Sequence, residues 1–325
     1  MQDTSQSPVK VLVLGANGYV GRRLVAALAA THWARPLAAV RRAAAETATA
    51  DAAVTQCVVD ATSAEALALA LADADAVVNC VAGAPAVIVA NARALEHALA
   101  RVPRRLVHFS SMAAYGSIEG LVNESCPLSG DLGGYSAAKA RAEQSLAHLP
   151  DTVLLRPGCI YGPDSPQWTL RIAQLLRKRR LGDLGEQGDG CSNLVHVDDV
   201  VQAALAALQR PGKASAAYNL AMRDAPDWNG YFLAMAKALG AVPVTRIGRR
   251  RLKLETRLAA PALKLIEIAA RKARLRRELP PPIPPSLARL WSQDIRLDSR
   301  AAERDLGMRW RPLYEGIVDS LRRPV

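Results

Sequence analysis

The sequence has no apolar run long enough to cross a bilayer, and its first residues do not look like a leader. A transmembrane helix needs about 18 consecutive apolar residues, and no such run occurs. Residues 1–7 are polar and lack the basic and apolar regions of a secretory signal. From these absences we expect a cytoplasmic protein.

Cysteine is scarce, and the few copies are spread along the chain. The five are Cys57, Cys80, Cys126, Cys159 and Cys191. No two of them form a Cys-x-x-Cys pair, which is the spacing typical of zinc sites and redox pairs, and an odd number argues against a disulfide framework. We predict buried, reduced thiols and no metal site.

Acidic residues are too few to balance the charge of the basic ones. Aromatic residues are also too few to alternate with the basic ones along the sequence. Lys and Arg number 42 against 30 Asp and Glu, a net charge of +12, and only 4% of residues are aromatic. The basic side chains concentrate at residues 177–180 and 246–277, without the aromatic residues that stack on bases. We therefore predict no nucleic-acid partner.

Within this basic region, residues 250–278 have an amphipathic pattern with two interpretations. One is a helix on a membrane surface that admits an apolar substrate. The other is a solvated helix lying over the substrate pocket, which the presence of both charge signs favours.

Glycine marks the stretch around which the chain is organised. The apolar run 9–14 leads into Gly15, Gly18 and Gly21, and an apolar-patterned helix follows. Glycines in such a strand–turn–helix let the backbone turn sharply, let a pyrophosphate approach the main chain and let the helix pack closely. The intervening Asn17, Tyr19 and Val20 would share this anion site at the helix N-terminus. A glycine-rich turn without a ligand remains the alternative.

Strand-like and helix-like segments then alternate. Strands are predicted at 35–42, 56–60, 76–83 and 105–111, and helices at 63–71 and 86–100. This order predicts an α/β fold with a doubly wound parallel sheet whose ligands bind at the carboxyl ends of the strands. We assign residues 8–165 to a dinucleotide-binding domain, to which residues 193–222 return. Residues 166–192 and 223–325 would form a smaller, mainly helical substrate-binding part.

The second predicted strand ends in Arg41 and Arg42. An acidic residue at this place binds the ribose 2′-hydroxyl of NAD, whereas arginine suits the 2′-phosphate of NADP. The two arginines therefore favour NADP(H), with NAD(H) as the alternative cofactor. Two solvated arginines at a strand end would have the same pattern.

Tyr135 and Lys139 are four residues apart on a predicted helix. Residues at this spacing share one face, so the ammonium can lie close to the phenol. A neighbouring positive charge stabilises a phenolate and lowers the pKa of the phenol. The pair is thus predicted to supply an acid or base near neutral pH.

At this point the chain resembles the extended short-chain dehydrogenase/reductase family. The match rests on residues 15–21, Asp60, SSMAAYG at 110–116, YSAAK at 135–139, RPGCIYGP at 156–163 and VHVDDV at 195–200. The resemblance implies a Rossmann fold and a homodimer. It also implies that Tyr135 donates or accepts a proton, that Lys139 holds the nicotinamide ribose and that Ser111 binds the substrate oxygen. Ser110 is the second candidate for that last role.

The resemblance further implies where the cofactor is contacted. Asp60 corresponds to an adenine-contacting aspartate and Asn91 to an asparagine on the helix that follows. Beyond the glycine turn, the remaining predicted cofactor contacts are Ala61, Val81, Ala82, Pro157 and Ile160. His196 lies in an apolar Val-His-Val stretch, and we interpret it as structural.

Three functions compete. The first is an NADP(H)-dependent oxidoreductase that reduces a small-molecule ketone or oxidises a secondary alcohol. The second is an NAD-dependent nucleotide-sugar epimerase or dehydratase, but members of that kind hold the diphosphate with an asparagine and an arginine where this chain has Gly158 and residues 191–194. The third is a dinucleotide-binding sensor or scaffold, which would have no need of a tuned phenol. The sequence favours the first.

Overall fold

The structure is a computed structural model that describes residues 7–42, 54–212, 214–259 and 281–322, together with Pro261 and Leu263. Most of the predicted amphipathic stretch 250–278 lies outside the described residues, so only its beginning can be compared with the prediction. In the part of the chain that is described, no helix has both the length and the apolar character needed to cross a membrane.

Eleven strands occur among the described residues. They are β1 (Val9–Leu14), β2 (Ala34–Val40), β3 (Thr55–Val58), β4 (Ala76–Asn79), β5 (Arg105–Phe109), β6 (Gly120–Val122), β7 (Thr152–Pro157), β8 (Cys159–Tyr161), β9 (Leu194–His196), β10 (Ala216–Leu220) and β11 (Ile295–Leu297). Seven of them form one parallel sheet in the order β10-β7-β5-β4-β1-β2-β3. The strand order reverses after β3, so the sheet is doubly wound, as predicted.

Helices cover both faces of this sheet and build the second part of the molecule. They are α1 (Tyr19–Ala29), α2 (Ala64–Ala72), α3 (Pro85–Arg101), α4 (Gly134–Leu146), α5 (Arg171–Arg177), α6 (Val197–Gln209), α7 (Trp228–Ala238), α8 (Arg249–Leu254), α9 (Pro285–Ser292), α10 (Arg300–Asp305) and α11 (Leu313–Leu321). The α/β fold class with a smaller, mainly helical second part is confirmed.

The central strands are apolar throughout because helices cover both of their faces. In β1 the last four residues, Val11 to Leu14, are wholly buried, and Val77 and Val78 of β4 are equally inaccessible. The helix predicted at 63–71 begins one residue later, because Ser63 is its N-cap and its hydroxyl accepts a hydrogen bond from Ala66 N.

Apolar side chains also form a second core, outside the sheet. It joins α5, α7 and α9 through a group of aromatic rings that includes Trp228, Phe232 and Trp291. The two parts interleave more than the predicted boundary at residue 223 implies, because Ala302 and Met308 pack into the core of the sheet. The five cysteines are all unpaired, but only Cys159 is fully buried, and the other four are half-buried.

A buried ion pair ties helix α4 to the sheet. The carboxylate of Glu143 on α4 accepts a hydrogen bond from Arg156 Nε on β7 at 2.8 Å, and Arg156 Nη2 donates to the same carboxylate. Arg156 Nη1 also donates to the Tyr115 hydroxyl at 2.6 Å and to Glu124 O at 2.9 Å. Because a buried charge is tolerated only when it is paired, this network fixes where α4 sits on the sheet.

We expect Glu143→Ala to lower the free energy of unfolding by about 3–5 kcal/mol, because it leaves the Arg156 guanidinium buried without its counter-charge. The measurement is denaturant unfolding. The matched control is Glu96→Ala, which removes a partly exposed carboxylate that contacts His148 at 3.5 Å. That change should cost less than about 1 kcal/mol, and equal losses in the two variants would contradict the role given to the buried pair.

Candidate active site

A cavity of about 670 Å³ opens at the carboxyl ends of β1, β4, β5 and β7. That volume is typical of small-molecule sites. Tyr135, Lys139 and Ser111 all line it, so the structure brings the three predicted catalytic residues together. No described aspartate or glutamate lines the cavity, and Lys139 and Arg289 contribute cationic side chains to it.

Tyr135, at the start of α4, lies beside Ser111, which follows β5. Tyr135 is the second residue of this helix and is 45% exposed. Enough protein surrounds the phenol that burial raises its pKa, and a hydrogen bond with the Ser111 hydroxyl acts in the opposite direction. The Ser111 hydroxyl also accepts a hydrogen bond from Ala113 N at 3.2 Å, which holds it at the end of β5.

Lys139 does not lower the pKa of Tyr135 in this structure, contrary to the prediction from their spacing. Its ammonium group donates to Phe109 O at 2.7 Å and is almost completely buried. Burial lowers the pKa of Lys139 to about 8, against the smaller opposing effects of Cys80 and Glu143. Lys139 therefore loses its proton at a lower pH than an exposed lysine does.

Ser110 and Ser111 point to different partners because successive side chains of an extended segment alternate in direction. The Ser110 hydroxyl donates to Glu143, on the side of α4 that faces the sheet. Its hydroxyl proton is thereby committed to the buried ion pair. This arrangement leaves Ser111 as the better placed of the two for a substrate oxygen.

The glycine turn is packed backbone against backbone. Gly15 has a φ of +75°, and a Cβ there would lie 2.9 Å from Cys80 O. A Cβ on Gly21 would lie 2.2 Å from Gly15 O, so this glycine lets α1 approach the turn. Gly18 is the N-cap of α1 and places no side chain over its first N–H groups. The turn therefore fits a dinucleotide pyrophosphate at the helix N-terminus.

Other predicted cofactor contacts are distributed between the cavity and the open edge of the sheet. Those that line the cavity are Tyr19, Val20, Val81, Ala82, Pro157 and Ile160. Asn17, Arg41, Arg42, Asp60 and Ala61 lie outside it, in loops that follow β1, β2 and β3. Both groups lie at the carboxyl edge, where a dinucleotide would extend across the sheet.

Asp60 and Arg41 are close enough to interact. Two hydrogen bonds from Thr62, one from its hydroxyl at 2.7 Å and one from its N–H at 2.9 Å, lower the pKa of Asp60. The charge of Arg41 adds a smaller lowering. Arg41 and Arg42 are both exposed directly after β2.

Asn91 holds the loop after β3, which is predicted to contact the adenine. Its amide nitrogen donates to Ala61 O at 2.8 Å, and its amide oxygen accepts from Asn79 Nδ2 at 2.8 Å. Asn79 in turn contacts His108 Nδ1 at 3.1 Å and accepts from Val81 N at 3.2 Å. Burial lowers the pKa of His108 to about 3, so this network is uncharged and positions the loops after β3 and β4. No sequence motif marks Asn79 or His108 for these roles.

The wall of the cavity opposite the sheet comes from two distant segments. Residues 165–168 contribute Trp168, whereas residues 182–190, which also belong to the predicted substrate-binding part, do not line the cavity. The rest of that wall is α9 and the residues after it, including Leu287, Arg289 and Gln293. Sequence analysis missed these three residues, because no motif marks them.

Gln293 and its neighbours connect this wall to the loop that follows Ser111. Gln293 Nε2 donates to Gly116 O at 2.9 Å and to Ile118 O at 3.0 Å. Two residues later β11 pairs with β6 in parallel. The side chain of Asn193 also holds β11 in place, because it donates to Ile295 O at 2.7 Å and accepts from Leu297 N at 2.9 Å.

His196 lies outside the cavity and serves the fold, in line with its structural interpretation. It is wholly buried, and its Nδ1 accepts a hydrogen bond from Asp198 N at the start of α6. Its other nitrogen lies 3.3 Å from Asp319 Oδ2. Arg311 donates to Asp198 at 2.9 Å and to Asp319 at 3.2 Å, so its single positive charge offsets part of the charge of the two carboxylates.

Comparisons with known proteins identify a family and a common fold. The model of the NAD dependent epimerase/dehydratase family matches residues 11–221. Among solved structures, a putative epimerase from Burkholderia cenocepacia is 22% identical with a TM-score of 0.71, covering 97% of this chain and 98% of that one. UDP-glucuronic acid 4-epimerase from Bacillus cereus, in complex with UDP-glucuronic acid and NAD, is 18% identical with a TM-score of 0.70, covering 96% and 98%.

A third similar structure is the Bordetella bronchiseptica enzyme WbmG in complex with NAD. It is 16% identical with a TM-score of 0.72, covering 98% of this chain and 94% of that one. At these identities the likeness shows the fold alone. A search of curated proteins found no match.

The pKa of Lys139 leads to a prediction for dinucleotide binding. A bound anion favours the ammonium form, so affinity for NADH should be highest below pH 8 and fall as the pH rises through about 8. The fall should approach about tenfold per pH unit if the bound lysine stays charged. Fluorescence titrations between neutral and alkaline pH measure it.

The control is Lys139→Met, which should bind NADH more weakly and without the transition near pH 8. A transition of the same size in this variant would assign the titration to another group.

Proposed function

The chain belongs to the NAD dependent epimerase/dehydratase family, and we propose that it transfers hydride between NAD(P) and an alcohol or ketone carbon held at Tyr135 and Ser111. The observation that carries this proposal is the meeting of Tyr135, Ser111 and the buried Lys139 in one cavity beside the glycine turn. The family is one of enzymes, so the interpretation as a sensor or scaffold is not retained.

The protein's own groups supply position and a proton. The Ser111 hydroxyl is placed to donate a hydrogen bond to the substrate oxygen, and the Tyr135 phenol to give that oxygen a proton or take one from it. The nicotinamide, when bound, supplies the hydride chemistry. Because the pKa of Tyr135 is raised, the phenol stays protonated at neutral pH and is ready to act as the acid in the reducing direction.

For the cofactor we propose NADP(H). Support comes from Arg41 and Arg42, which follow β2 and present two exposed guanidinium groups where a 2′-phosphate would lie. Two observations favour NAD(H) instead. The Asp60 carboxylate interacts with Arg41 and offsets part of its charge. In addition, the similar Bacillus and Bordetella enzymes were solved with NAD.

An NAD-dependent nucleotide-sugar epimerase or dehydratase is the second candidate, and the comparisons favour it over a net reductase. The lining of the cavity, however, favours a substrate other than a nucleotide sugar. A Cβ on Gly158 would lie 2.1 Å from Asn193 O, so no side chain can reach a diphosphate from that position. Apolar groups such as Met112, Trp168 and Leu287 dominate the lining, which suits a substrate with an apolar body.

Arg289 gives that substrate a charged contact. It belongs to α9, on the side of the cavity away from the sheet, and no described carboxylate lines the cavity to neutralise it. A ketone or alcohol that joins an apolar body to an anionic group fits this lining. The diphosphate of a nucleotide sugar would use the same cation.

Cofactor preference is tested by titrating the purified protein with NADPH and with NADH. We expect tighter binding of NADPH, and a loss of about 10- to 100-fold in NADPH affinity when Arg41 and Arg42 are both changed to Ser, with NADH affinity little altered. Stronger binding of NADH, or NAD retained through purification, would overturn the NADP assignment and make the epimerase or dehydratase the leading candidate.

The role of Tyr135 is tested by Tyr135→Phe, which removes only the hydroxyl. Turnover should fall by about 10²- to 10⁴-fold while dinucleotide binding is unchanged. The assay uses a panel of ketones with NADPH, and UDP-glucuronic acid with NAD. Activity that survives at the wild-type level would exclude the phenol as the proton donor.

The paired control is Ser110→Ala. In the unchanged protein the Ser110 hydroxyl donates to Glu143, so we expect Ser110→Ala to lose less turnover than Ser111→Ala. The reverse order would exchange the roles of the two serines.

A further inference from the structure

Two basic segments meet on the surface of the substrate-binding part. The first is residues 177–180 at the end of α5, and the second is residues 249–257, which include α8. Arg251 Nη2 donates to Arg179 O at 2.9 Å, and Arg180 Nε donates to Glu255 Oε1 at 3.1 Å. These contacts make one continuous surface out of segments that are about 70 residues apart in the chain.

We call this surface the basic face. Its members are the exposed cations Arg177, Lys178, Arg179, Arg249, Arg250, Arg251, Lys253 and Arg257. Glu255 is the one carboxylate in the two segments, and it is paired with Arg180, which is not a member. The positive charge of the basic face is therefore not balanced within it, and it accounts for much of the chain's net charge of +12.

An exposed leucine lies among these cations. Leu252 and Thr256, one helical turn apart, are buried and anchor the segment. Leu254 is instead 63% exposed, directly after Lys253. Cations around an exposed aliphatic side chain match the boundary of a bilayer, where headgroups bind the charges and the leucine enters the acyl region. Neither segment contains an aromatic side chain to stack on bases, which disfavours a nucleic acid.

The basic face adjoins the apolar wall of the cavity. Arg180 Nη1 donates to Pro281 O at 3.1 Å, a few residues before α9 begins. Helix α9 lies against residues 255–259, while its Leu287 and Leu290 line the cavity. A surface that attracts lipid headgroups is thus a direct neighbour of the helix that covers the substrate side of the site.

We propose that the basic face docks on the surface of a bilayer that contains anionic lipids, with its cations at the headgroups and Leu254 at the acyl boundary. The docking is peripheral and reversible, because electrostatic attraction of this kind decays within a Debye length and weakens with salt. The proposal does not depend on which substrate or cofactor the enzyme uses.

The test is cosedimentation of the full chain with vesicles of phosphatidylcholine alone and with vesicles of equal parts phosphatidylcholine and phosphatidylglycerol. We expect binding to the anionic vesicles that is reversed by added salt, and little binding to the neutral ones. The triple variant Arg249→Glu, Arg250→Glu and Lys253→Glu should bind the anionic vesicles about 100-fold more weakly.

The matched control is Lys10→Glu, Arg35→Glu and Arg309→Glu, which lowers the net charge equally at exposed positions outside the basic face. It should retain most of the vesicle binding, and unchanged NADH titrations show that both variants are folded. Equal losses in the two variants, or equal binding to neutral and anionic vesicles, would overturn the proposal. Binding of a DNA oligonucleotide that depends on the basic face, without vesicle binding, would replace the bilayer with a nucleic acid.

Discussion

The buried pair of Glu143 and Arg156 is the constraint on which the geometry of the site depends. It joins the helix that carries Tyr135 and Lys139 to a central strand of the sheet, and Ser110 donates to the same carboxylate. A shift of α4 by one residue would leave two charges buried without partners, so only one register of the helix is tolerable. Lys139 reinforces that register by its bond to Phe109 O. The distance between the phenol and Ser111 follows from these contacts rather than from the loop between them.

Much of the fold, and the meeting of Tyr135, Lys139 and Ser111 in one cavity, were predictable because they depend on local patterns. The strand at Val9–Leu14 matches its prediction, since a parallel strand covered on both faces must be apolar throughout. Tyr135, Lys139 and Ser111 came from motifs whose spacing is tied to one helix start and one strand end. The same local reasoning failed for the pKa of Tyr135. Spacing of four predicts a shared face, but it cannot show that a carbonyl 30 residues earlier binds the ammonium.

The rest of the site depends on contacts between residues far apart in the chain. Gln293 bonds to Gly116 across 177 residues, and Arg289 reaches the cavity on a helix that no motif marks. Such contacts form only when helices, strands and loops pack against one another, so they cannot be predicted from the periodicity or the composition of the sequence. The same holds for Asn91, which the resemblance connected with the cofactor and which the structure shows holding Ala61 O.

The pairing of β11 with β6 has a consequence for how the protein is made. A chain leaves the ribosome from its N-terminus, and the last strand of the seven-strand sheet ends at Leu220. Gly120 of the short strand β6, however, pairs with Ile295, which is synthesised 175 residues later. The strands of the sheet and the glycine turn are therefore complete in sequence while α9 and β11, the later part of the opposite wall, are still untranslated. During biosynthesis the glycine turn and the strands that flank it are thus available before the last part of the cavity wall that faces them.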